Sequence, residues 1–232
     1  MNDIQVLMLT ALSLGFIHTL LGPDHYLPFI AISKARNWST RKTMWITFFS
    51  GIGHVGSSVL IGAVGIALGT SLSKLNGIEA FRGELVAWLL FAFGVGYTLY
   101  GVYKYISSSH HAHLPTFLMP KKVREHHHLP VTEEEAENVN ITPWIIFLIF
   151  VFGPCEVLIP LLMVPAYTHS IEGMASVASI FSIGTITTMM TVVYLGHKGA
   201  SLINFRRQER YVHLLAGVVI LISGAGMVFL GW

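Results

Sequence analysis

The chain has 232 residues, 53% of them hydrophobic and 11% charged, with a mean hydropathy of +0.64 and a formal net charge of +2. That profile belongs to an integral membrane protein and excludes a soluble domain; a charge so near zero gives no reason to expect a nucleic-acid partner. The single cysteine, Cys155, excludes an internal disulfide and a CxxC redox pair, and so disfavours a thiol relay.

The first apolar run, residues 4–32, follows Asp3 with no Lys or Arg before it, so it lacks the basic flank of a cleaved signal peptide and is expected to stay in the mature protein. As one helix it would be roughly 43 Å long, against a hydrocarbon core of about 30 Å, so it must break. The break is expected at Gly22-Pro23-Asp24-His25-Tyr26-Leu27-Pro28. Here proline removes a backbone donor and glycine removes side-chain restraint. A charge at the bilayer centre costs roughly 2.5–3.5 kcal/mol even on the lenient scale, which marks Asp24 and His25 as site residues. His18 lies one turn before Gly22 on the same helical face.

The second run, 43–69, places His54 about 16 Å into the bilayer among the small residues Gly51, Gly53, Gly56, Ser57 and Ser58, which permit close helix approach. The third, 84–106, has no central charge and reads as scaffold, with Trp88, Tyr97, Tyr100 and Tyr103 in the core or at the interfaces. A hydrophilic loop, 107–142, follows. It carries His110, His111, His113, His126, His127 and His128 and then Glu133, Glu134, Glu135 and Glu137, a composition that reads as an auxiliary metal-binding segment.

The fourth run, 143–166, holds a second expected break, Gly153-Pro154-Cys155-Glu156-Val157-Leu158-Ile159-Pro160, again near the midplane. Glu156 and the soft donor Cys155 join the candidate site. The fifth run, 174–196, carries Thr185, Thr187, Thr188 and Thr191, and the sixth, 211–231, closes the chain. His169, His197 and His213 fall at helix ends and stay outside the site.

The two Gly-Pro breaks are 131 residues apart, and the same offset carries Gly53-His54 onto Gly184-Thr185. A further echo, shifted by one, lays Gly94, Gly96 and Gly101 over Gly224, Gly226 and Gly231. The expected fold is therefore all-α, with six transmembrane helices as two inverted three-helix repeats (1–106 and 143–232) flanking the 107–142 loop, and with helices 1 and 4 broken. Twelve of the 14 Lys and Arg residues lie in the odd-numbered loops; only Lys74 and Arg82 fall elsewhere. The positive-inside rule then puts the 107–142 loop in the cytoplasm, and both termini and the 70–83 loop outside.

A six-helix chain with His18 and Asp24-His25 in helix 1, Gly53-His54 in helix 2, a His-rich central loop and Gly-Pro-Cys in helix 4 resembles the nickel/cobalt transporter superfamily, including its nickel/cobalt efflux and urease-accessory-like members. The resemblance implies a non-enzymic transporter in a prokaryotic inner or plasma membrane, with a lean to efflux. Ni²⁺ or Co²⁺, or else Zn²⁺ or Cu²⁺, would be its substrate rather than a cofactor, and His18, Asp24, His25 and His54 lie at the matching positions. Cys155 and Glu156 come from the internal repeat. Two alternatives stand beside it: an exporter of a small anion such as sulfite, served by the positive ends of half-helices after Pro23 and Pro154, and an intramembrane metalloenzyme. Direction, coupling and oligomeric state are not written in these features.

Overall fold

The computed structural model describes residues 3–107, 141–155, 157–167, 170–202 and 209–231. Among them the elements are all helical: α1 (Asp3–Leu21), a 3₁₀ turn (Pro23–His25), α2 (Leu27–Ala35), α3 (Thr40–Ala67), α4 (Leu72–Ser107), α5 (Ile141–Phe152), α6 (Leu158–Tyr167), α7 (Ile171–Leu202) and α8 (Glu209–Leu230). Glu156, His169 and the six histidines of the 107–142 loop lie outside the described residues.

Among the described residues, five helices are long and apolar enough to cross a membrane; where a fourth span was expected stand two shorter apolar helices, Thr142–Phe152 and Leu158–Tyr167. Large apolar side chains face outward along the long helices, among them Leu9, Phe16, Phe49, Leu60, Leu99 and Leu195. Water would oppose such a surface and hydrocarbon accepts it, so the chain is an integral membrane protein.

Local chemistry sets the ends. Ser39 caps α3 by accepting from the Lys42 amide at 3.2 Å, and Gly69, at φ +65°, turns the chain after Ala67. Ser170 caps α7 through the Gly173 amide at 3.0 Å. Pro28 and Pro160 do not break helices: each lies in the first turn of the helix that follows a break, where no intrahelical donor is needed.

The expected outer loop 70–83 is mostly helix, because α4 starts at Leu72 and runs 36 residues. Glu79 and Arg82 of this segment have partners inside the protein, as described below, whereas Lys74 is exposed.

α4 and α8 pack along their length, α1 packs on α7, and α3 on α5. Exchanging the two halves of the chain leaves these pairings unchanged. The α4–α8 contact is backbone against backbone: a Cβ on Gly94 would stand 2.5 Å from Leu221 Cα, on Gly101 2.6 Å from Leu214 Cα, on Gly217 2.6 Å from Thr98 Cα, and on Gly224 2.6 Å from Phe91 Cα. Gly96 and Gly231, by contrast, face open space.

Two buried apolar clusters fill the bundle. One gathers Phe29, Ile32, Trp38, Ile146, Ile149, Phe150, Met189 and Val193 toward the 36–39 turn. The other, with Ala11, Val55, Leu158, Leu162, Val177 and Phe181, surrounds Cys155 toward the opposite end. The candidate site lies between them.

Candidate functional site

The first break follows from its residues. α1 ends as the Gly22 amide reaches the His18 carbonyl at 3.0 Å, and Pro23 opens a single 3₁₀ turn. The Tyr26 hydroxyl donates to the Leu20 carbonyl at 3.3 Å, satisfying one of the acceptors that the end of α1 exposes. Gly22 is required by contact: a Cβ there would meet His25 Nδ1 at 2.6 Å and Asp24 Oδ1 at 2.9 Å. The turn thereby holds His25 Nδ1 3.3 Å from Asp24 Oδ2 and 3.2 Å from the Gly22 carbonyl, to which it donates.

Three imidazoles meet here. The His18 and His25 rings are 4.8 Å apart, the His25 and His54 rings 5.1 Å, both edge to face. Their outward nitrogens have no hydrogen-bond partner within normal geometry: His18 Nε2, His25 Nε2 and both nitrogens of His54, which stands against the Phe150 backbone. Buried polar atoms are almost always paired, so four orphans in one cluster point to a ligand or water between them. The Cys155 sulfur completes the group, since donor atoms of His18, His54 and Cys155 lie within 4.8 Å of one another. Gly153 does for His54 what Gly22 does for His25: a Cβ on it would stand 3.1 Å from His54 Nδ1.

The structure thus brings together His18, Asp24, His25, His54 and Cys155. His18, Asp24, His25 and His54 border a cavity of about 1060 Å³ that runs between α1, α4 and α8 to the end of the bundle marked by Gly83, Glu84 and Gly231. The site is therefore reached from the side of the turn following α3, and Phe150, 6.3 Å from His54 and 4.5 Å from Phe29, stands behind it.

Two functional residues escaped the sequence reading, Glu79 and Arg82 of α4. They form an ion pair in which Glu79 is fully buried. The Arg82 guanidinium also donates to the carbonyls of Val151 and Gly153, each at 3.2 Å, and to Ser57 Oγ at 2.7 Å. Glu79 Oε2 accepts from the Cys155 amide and from Ser58 Oγ, both at 3.0 Å. The last carbonyls of α5 are thus capped by a cation, and the amide leading into α6 by an anion, as the helix dipoles favour. Their signal was faint: two opposite charges three residues apart just before an apolar run, in a segment that reads as loop.

No curated protein and no solved structure matches the chain. The family model for the cytochrome C biogenesis protein transmembrane region does, over residues 27–226. This overturns the nickel/cobalt resemblance, whose carriers in helix 1, His18 and Asp24-His25, lie before the matched span; nickel and cobalt lose their support with it. The match runs from the start of α2 into the last turns of α8 and takes in His54, Glu79, Arg82 and the Gly153 break. The chain belongs to the cytochrome C biogenesis protein transmembrane region family.

Proposed function

We propose that the protein is a transporter, not an enzyme, and that it exports a small anion of the sulfite type through the histidine cluster. The observation that carries this reading is the set of unpartnered imidazole nitrogens at a helix break deep in the bundle. Each can present an N–H to an oxyanion, and protonation of His18 or His54 would supply positive charge. The objection that Asp24 would repel an anion is weakened by its ion pair with His25, and Glu79 is likewise matched by Arg82. The N-termini of α2 and α6 begin beside the two breaks and add positive dipole ends. Family membership sits more easily with this reading than with a nickel or cobalt carrier, and the lone cysteine leaves no pair for a thiol relay.

In this reading the halves are inverted repeats, with α1/α2, α3 and α4 matched by α5/α6, α7 and α8, as the exchange-symmetric packing supports. The distribution of basic residues supports a cytoplasmic 36–39 turn, with which the cavity would open outward.

A second reading is favoured by one observation, the convergence of His18, His54 and Cys155 donors, which suits a soft or borderline transition-metal ion. The two part by pH and by solute. Flux of sulfite from proteoliposomes should rise as pH falls and be lost in His54→Ala, because imidazolium holds an anion. No sulfite flux, together with binding of a soft metal ion that weakens on acidification and disappears in His18→Ala and Cys155→Ser, would install the second reading instead. Both assays use protein with the histidines of the 107–142 loop replaced.

A further inference from the structure

The cavity runs from the histidine cluster toward one end of the bundle, so a transported solute needs a way out at the other. The feature that answers to this is on α3. Thr43, Thr47, Ser50, His54 and Ser58 are all buried and fall on one helical face, from the Ser39 cap to the middle of the bundle and beyond. The opposite face carries Trp45, Phe49 and Ile52, exposed as lipid contacts.

Helical Ser and Thr in apolar surroundings ordinarily bond back to a carbonyl three or four residues earlier. This protein follows the rule: Thr10, Thr19, Thr98, Ser182, Thr188, Thr191 and Ser223 do so at 2.6–3.0 Å. Thr47 Oγ1 and Ser50 Oγ do not, nor does Thr185 Oγ1 on α7, and all three are fully buried with no hydrogen-bond partner. Between His54 and the Ser39 cap, then, α3 offers two hydroxyls that have left their own backbone unused. Buried polar atoms held that way line places where water or a solute passes. Beside them the Phe29–Phe150 pair and the aliphatics around it form the apolar cluster that packs on Met44 and Ile46 of the same helix.

We propose that Ser50, Thr47 and Thr43 line the second half of the solute path, a water-containing cleft from His54 to the 36–39 turn, and that the Phe29–Phe150 pair closes it in the state seen here. The proposal rests on the transport reading for its purpose, while its geometry is independent of the solute's charge.

Single cysteines placed at Ser50 and Thr47 in a Cys155→Ser background test it, with Phe49→Cys as the lipid-facing control. The probe is a charged methanethiosulfonate applied to membranes from the side of the 36–39 turn. The expected result is that Ser50→Cys and Thr47→Cys react at least about tenfold faster than Phe49→Cys, since a charged reagent needs water to reach a thiol. Adding Phe150→Ala should raise the Ser50→Cys rate again and leave Phe49→Cys unchanged. Rates at positions 47 and 50 no faster than at 49, with and without Phe150→Ala, would overturn the path. The readout needs no solute, so a reactive seam in a protein that moves neither sulfite nor metal would reject the function proposed above and keep this path.

Discussion

Two glycines hold two imidazoles in place. Gly22 and Gly153 are usually read as helix breakers, yet each also faces a site ring: a Cβ on Gly22 would clash with His25, and one on Gly153 would press on His54. Gly22→Ala forces a methyl group against His25, a clash of a kind that costs about 1–3 kcal/mol and is relieved only by turning the ring away from Asp24. We expect Gly22→Ala to lower transport at least about tenfold at normal expression. Gly56→Ala, where a Cβ meets nothing within 4 Å, should be neutral. Flux assays on the pair give the comparison, and equal flux would mean that the break alone, and not the ring beside it, requires glycine. Asp24, His25 and His54 could be read as site residues from sequence because ionisable groups in apolar runs are costly. His18 and Cys155 joined them as candidates through the family resemblance and the internal repeat, but how closely they approach His54 could not be read, because α1, α3 and the α5–α6 break meet only through tertiary packing.

The two breaks are built differently. The first is closed by local groups, Gly22, Pro23 and the Tyr26 hydroxyl, and so its position was visible in the sequence. The second is closed from a distance, by Glu79 and Arg82 of α4, and that is why the start of α4 was misplaced: Glu79 and Arg82 read as a solvated loop until their partners are known. The ion pair makes a specific expectation. Glu79→Gln strands the Arg82 charge and Arg82→Met strands Glu79, and breaking a buried pair on one side costs about 3–5 kcal/mol. The double variant strands no charge and should recover part of that loss, though the carbonyls of Val151 and Gly153 stay uncapped. Thermal unfolding in detergent measures all three. A double variant less stable than both singles would show that capping the break, and not charge matching, is the larger effect.

At the scale of the molecule, the membrane character and the positions of the long helices were legible from apolar runs, whereas the division of 143–166 into two short helices required the structure to place its limits. Orientation rests on basic residues. Reporter fusions after residue 107 and at Trp232 should report cytoplasmic and external locations respectively, and the reverse pattern would turn the export direction around. The glycine contacts between α4 and α8 carry one more consequence. Those helices touch backbone to backbone over about three turns, and one belongs to each half of the chain. The covalent link between residues 107 and 141 then adds little to their recognition. Two separate polypeptides, 1–107 and 141–232, synthesised in the same cell, should find each other in the bilayer and copurify as a stoichiometric complex. Gly217→Leu, which places a side chain against Thr98, should leave both fragments inserted and abolish their capture of one another.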